Sequence, residues 1–124
     1  MILNILIIEN ESIVGLHLKK TLQAMGHNVL IVVSNAIDAI KVFQKSRVDL
    51  LISDINIDGD INGAECSLNL QKVYRMPVIF ITGYRDNETL KQASLVDFVG
   101  YLVKPFRQDE LETMVNLAIL KIKA

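Results

Sequence analysis

A single cysteine, Cys66, in 124 residues excludes an internal disulfide and suits a reducing compartment. Although 51% of the residues are hydrophobic, no apolar stretch approaches the roughly 18–20 residues of a membrane span. The formal net charge is only −1, so no basic surplus points to bulk nucleic-acid binding. No basic leader precedes the first apolar run, and ILNILII reads as a buried strand rather than a signal peptide. Internal repeats, low-complexity tracts and linkers are missing as well. A chain of this length can bury one core of its own. The expectation is one cytoplasmic domain over 1–124, with no membrane and no direct nucleic-acid partner.

What is present alternates between two hydrophobic periods. Apolar runs at 3–8, 29–33, 50–53, 78–81 and 98–103, most of them rich in Ile and Val, read as strands buried on both faces. Helical spacing fills the gaps. Ser12 can cap a first helix carrying Ile13, Leu16, Leu22 and Met25 inward and stopped by Gly26. Ser34 or Asn35 can cap a second, with Ile37, Ile40 and Phe43 on its apolar face. A third is expected at about 63–74, ending before Pro77, and a fourth at about 86–94. The last, about 107–122, places Leu111, Met114, Val115, Ala118 and Ile119 on one side. Five strands alternating with five helices predict an α/β fold, a doubly wound, flavodoxin-like (βα)5 three-layer sandwich with parallel strand order 2-1-3-4-5. Right-handed crossovers then gather the loops after the strands at one edge of the sheet.

Four of the apolar runs end in chemically capable residues. ILII leads into Glu9, Asn10 and Glu11; LLIS into Asp54; VIFI into Thr82; YLV into Lys104 and Pro105. Each alone has an ordinary explanation: a turn-forming Asp, a solvated loop Lys, a Thr-Gly turn, acids complementing a helix dipole. Together, each at the end of a different strand, they describe one site. Crowded carboxylates call for a cation, and hard oxygen ligands favour Mg²⁺. Glu9, Asn10, Asp54 and the backbone carbonyl of Asn56 are the candidate metal ligands. Asp54 can then act as a nucleophile toward a phosphoryl group, with Lys104 neutralising it, Thr82 donating a hydroxyl, and Gly83 leaving access.

The strings ILIIENE, LLISDINI, VIFITGY and YLVKPF resemble, in order and separation, those of the receiver domain of two-component response regulators. The resemblance covers essentially the whole chain. It implies that Asp54 is the phospho-acceptor, served by a sensor histidine kinase or phosphotransfer protein. Thr82 and Lys104 become the switch hydroxyl and the phosphate-contacting lysine, Tyr101 the aromatic switch partner, and Lys104–Pro105 a cis peptide. A downstream protein target or a fused output domain would read the phosphorylated state. The face made by the fourth helix, last strand and last helix is the family's docking surface, including for a homodimer. The domain phosphorylates and dephosphorylates itself and is not a turnover enzyme on a metabolite.

One position departs from the family pattern. Receivers carry two adjacent acids after the first strand, whereas here the pair is Glu9-Asn10. A neutral ligand at the second position is expected to weaken Mg²⁺ by on the order of tenfold to a hundredfold, or about 1.4–2.8 kcal/mol. Compensation can come from Glu9 or Glu11, which have longer side chains, or from Asp58 or Asp60 in the acidic loop; the plain reading of that loop is solvation. Asn10 also keeps open a receiver that is never phosphorylated and acts as a binding module. A third reading, a haloacid-dehalogenase-like phosphohydrolase, needs an acid where Asn56 stands and a cap domain. Tyr84 lies where the family tunes dephosphorylation, or is simply an exposed loop aromatic. His17 and His27 are expected at the surface, and Cys66 in packing. The chain is expected to act as a stand-alone receiver.

Overall fold

The computed structural model describes residues 1–83, 91 and 93–124. In chain order the elements are β1 (Asn4–Ile8), α1 (Ser12–Ala24), β2 (Asn28–Val33), α2 (Ala36–Lys45), β3 (Leu50–Asp54), α3 (Gly63–Gln71), β4 (Val78–Thr82), β5 (Phe98–Val103) and α4 (Gln108–Lys123). The helix expected over 86–94 falls largely outside the described residues, and Tyr84 does so entirely. The five strands are parallel in the order β2-β1-β3-β4-β5, as the alternation of the two periods predicts.

Period-two alternation divides the strand side chains between two cores. Leu6, Ile8, Leu51, Val78 and Phe80 face one side and pack with Ala39, Phe43, Ala64 and Leu70 of α2 and α3. Ile5, Ile7, Leu50, Ile52, Ile79 and Ile81 face the other and pack with Leu18, Leu22, Leu111, Val115 and Ala118 of α1 and α4. The result is a helix–sheet–helix sandwich. Each large aliphatic side chain buried this way contributes about 1.5–3 kcal/mol of transfer free energy, so β1, β3 and β4 form a rigid platform. Their carboxyl ends carry the polar residues.

Several details differ from the sequence reading. The runs 29–33 and 98–103 are not buried on both faces: β2 and β5 are the edge strands, and Leu30, Ile31 and Tyr101 reach solvent. The first two helices turn only part of the expected faces to the sheet: Leu22 and Phe43 are buried as expected. Ile13, Leu16, Ile37 and Ile40 are exposed, while Gly15, Leu18, Thr21 and Leu22 of α1 and Ala36, Ala39 and Phe43 of α2 are buried. Close approach is the reason. A Cβ on Gly15 would lie 2.9 Å from Val32 Cγ1, so α1 meets β2 through its smallest residue, and Ile13 and Leu16 turn outward. Ser12 is the first helical residue rather than the cap, a position taken by Glu11 without a capping side-chain bond. Asn35, not Ser34, caps α2 by accepting from the Asp38 N–H at 2.8 Å. Gly26 ends α1 as expected, at φ +91°.

His27 is buried, not at the surface. The turn at Gly26 carries it beside the start of β1, where its Nδ1 accepts the Leu3 N–H at 3.0 Å. Burial, with the nearby N-terminal amine, lowers its pKa. His17 is exposed, as expected. Cys66 is buried in the core beside α2, and burial pushes its thiol up to about 11, which suits packing rather than redox chemistry. No helix among the described residues is long and apolar enough to cross a membrane.

Candidate functional site

Four strands deliver the polar residues to one edge of the sheet. Asp54 ends β3, fixed by pairing with Ile81 of β4, and is buried. Thr82 lies one residue further along β4 and is also buried; its carbonyl accepts the Lys104 N–H at 2.8 Å, tying the end of β5 to the end of β4. The Lys104–Pro105 peptide is cis. The acids Glu9 and Glu11 follow β1.

Lys104 gathers the carboxylates. Its Nζ lies 2.6 Å from Asp54 Oδ2, 2.6 Å from Glu11 Oε1 and 3.2 Å from Glu9 Oε1. Burial alone would lower the lysine's pKa, but the hydrogen bonds to Asp54 and Glu11 raise it above its ordinary value. Asp54 is also oriented from below: its Oδ1 accepts the Asn56 N–H at 2.9 Å. Glu9, with only 3% of its surface exposed, is the least comfortable member. Its Oε1 accepts the Glu11 N–H at 3.0 Å, whereas its buried Oε2 has no hydrogen-bond partner among the described residues. Burial, reinforced by the charge of Asp54, pushes its carboxyl up to about 7. Ligand oxygens of Glu9, Glu11 and Asp54 all lie within 4.8 Å of one another, a donor set suited to a hard divalent cation.

Asn10 is turned elsewhere. It is exposed, and its Nδ2 donates to Asp58 Oδ1 at 3.3 Å, so the acidic loop meets the amide rather than the carboxylates. Tyr101 is 37% exposed on β5 and stacks on Phe98, ring centroids 5.9 Å apart. Phe98 in turn lies against Phe80, which is fully buried. Among the described residues, no atom lies within 4 Å of the place a Cβ on Gly83 would take.

Sequence reading missed the support beneath Asp54. A Cβ on Gly63 would lie 2.0 Å from the Asp54 carbonyl oxygen and 2.8 Å from Ser53 Oγ, so only glycine lets α3 begin directly against β3. Ser53 Oγ donates to the Asp54 carbonyl at 2.9 Å, Ser67 Oγ donates to the Gly63 carbonyl at 2.7 Å, and the Gly63 N–H donates to the Ile55 carbonyl at 2.7 Å. The signal was available: Asn62, whose side chain caps α3 at Glu65 N–H, precedes a glycine that no turn requires.

Comparison with known proteins agrees with this arrangement. Residues 5–116 match the response regulator receiver domain model. The chain is 29% identical to the phyllosphere-induced regulator PhyR of Methylorubrum extorquens, covering 96% of this chain and 44% of that one. It is 31% identical to the transcriptional regulatory protein CrdR of Helicobacter pylori, covering 90% and 53%. The chain thus spans about half the length of the curated relatives it matches. Among solved structures, the signal receiver domain of a modulated diguanylate cyclase from Desulfovibrio desulfuricans superposes with a TM-score of 0.92 at 32% identity, over 99% of this chain and 98% of that one. A fold with strand order 2-1-3-4-5, an acid-and-lysine cluster at its carboxyl edge and a family match over most of the sequence have one common explanation: the chain belongs to the response regulator receiver domains of two-component systems.

Proposed function

We propose that residues 1–124 form a single receiver domain that accepts a phosphoryl group on Asp54 from a sensor histidine kinase or phosphotransfer protein in the cytoplasm. The observation that carries this reading is the meeting of Asp54, Lys104 and the partnerless oxygen of buried Glu9 at one solvent-accessible sheet edge. In the transfer, an Asp54 oxygen forms the new bond to phosphorus as the bond from phosphorus to the donor nitrogen breaks. Lys104 sits where it can hold a phosphoryl oxygen, and Thr82, at the end of the neighbouring strand, supplies a hydroxyl to another. The buried, electron-rich carboxylates fit Mg²⁺, which Glu9, Asp54 and Asn56 through its carbonyl would hold; when bound it would neutralise charge on the transferring oxygens.

Phosphorylation adds negative charge beside Lys104 and draws Thr82 and the lysine toward it, which opens space for Tyr101 to rotate from its exposed position against Phe98. The outcome is a population shift on a protein-binding face that a downstream target, a fused output domain or a second copy of the chain would read. The domain then serves as a reversible phosphoprotein rather than as an enzyme acting on a metabolite. Intact mass spectrometry after incubation with acetyl phosphate and Mg²⁺ tests this: a gain of one phosphoryl mass on the protein, removed by hydroxylamine, is expected.

A second reading, a receiver that binds partners without being phosphorylated, draws on Asn10 and on the ability of Lys104 to neutralise the acids with no metal. No gain of phosphoryl mass with either Mg²⁺ or Mn²⁺ would favour it.

A further inference from the structure

Resting on the phosphoacceptor reading, we infer that Glu11, rather than Asn10, supplies the second acidic side chain of the divalent-cation site, acting together with Glu9 and Asp54. The turn after β1 makes the selection. The Glu11 N–H bonds back to Glu9 Oε1 at 3.0 Å, so the side chains of residues 9 and 11 converge on the end of β3 while residue 10 between them projects toward Asp58. A family pattern that reads the two positions directly after the strand therefore points at the wrong neighbour in this chain.

Two independent observations support a cation there. The oxygens of Glu9, Glu11 and Asp54 lie within 4.8 Å of one another, so side-chain rotation alone would bring them to the roughly 3.0 Å that neighbouring oxygens adopt around a small cation at about 2.1 Å per bond. In addition, Oε2 of Glu9 is buried without a hydrogen-bond partner among the described residues, and a buried acceptor left unpaired is costly unless a cation or proton reaches it. Lys104 already marks the convergence point, since one ammonium touches all three carboxylates. A metal entering the cluster must displace that ammonium from at least part of its shell, so Lys104 and the cation compete. The plain alternative is that Glu11, whose side chain is 61% exposed, only tethers Lys104.

Calorimetric titration of the full chain with Mg²⁺, repeated with Mn²⁺, separates the two. Glu11→Gln should weaken binding by about tenfold or more, while Asn10→Ala and the charge control Asp58→Asn should stay within about threefold of wild type. To separate ligation from tethering, Glu11→Gln is also made in a Lys104→Met background, where there is no lysine to tether; a loss of about tenfold should persist there. A loss that vanishes in that background, or a weakening caused by Asn10→Ala instead, overturns the inference. If either happens while acetyl phosphate still phosphorylates the wild-type chain, the phosphoacceptor reading stands and only the ligand is misassigned. If the wild type neither binds Mg²⁺ or Mn²⁺ nor takes a phosphoryl group, both fall.

Discussion

Lys104 and Asp54, 50 positions apart in sequence, meet at 2.6 Å, so the central acid of the site is paired with an internal cation. The pair is almost wholly removed from water, with side-chain exposures of 17% and 4%. Lys104→Met should therefore have two opposite effects. Mg²⁺ affinity should rise by roughly tenfold, about 1.4 kcal/mol, because the carboxylates lose their competing ammonium. Phosphorylation by acetyl phosphate should slow, because the lysine no longer holds a phosphoryl oxygen. Titration calorimetry and a time course check the two arms; a variant that binds Mg²⁺ more weakly would contradict the competition.

Asn10→Asp should tighten Mg²⁺ by about tenfold or more. The amide that now donates to Asp58 would become a carboxylate facing another carboxylate, and that repulsion favours turning it inward to the cluster. Unchanged affinity in the same titration would mean that residue 10 does not reach the site in either form.

Gly63→Ala tests the support under Asp54. The added methyl would sit 2.0 Å from the Asp54 carbonyl oxygen, and neither fully buried β3 nor the start of α3 has room to give. A stability loss of about 1–3 kcal/mol in urea is expected, with slower phosphorylation as Asp54 shifts. A loss below about 0.5 kcal/mol would show that α3 moves away without cost.

Much of this was legible from the residues, and the failures have physical causes. The strand ends could be read because β1, β3 and β4 are buried on both faces, so their apolar runs stop sharply where the chain reaches solvent. Helix faces were only partly legible in α1 and α2, where Leu22 and Phe43 are buried as read. Periodicity weights large aliphatics such as Ile13 and Ile37, whereas packing distance selected Gly15, Ala36 and Ala39. His27 was misread because nothing local shows that the turn at Gly26 carries it under the Leu3 N–H. Glu11 was visible only as a compensating option for Asn10, since its convergence with Asp54 depends on a backbone hydrogen bond within the turn.

Stability of the metal-free protein should depend on pH through Glu9. Its folded-state pKa of about 7 lies above the ordinary 4.5, so the fold prefers the protonated acid. The contribution is fully present below about pH 4.5 and is lost as pH rises toward 7, at no more than about 1.4 kcal/mol per pH unit. Glu9→Gln cannot titrate. The stability difference between wild type and this variant, measured in urea with EDTA, should therefore move against the wild type across that window and level off above it. A difference that is flat with pH would place the Glu9 carboxylate in water rather than in the buried cluster.

The central claim is that Asp54 accepts a phosphoryl group. Intact mass spectrometry after incubation with phosphoramidate and Mg²⁺ tests it most directly, with Asp54→Asn treated in parallel. The account predicts a gain of one phosphoryl mass in the wild type and none in the variant. No gain in the wild type, or an equal gain in Asp54→Asn, would contradict it.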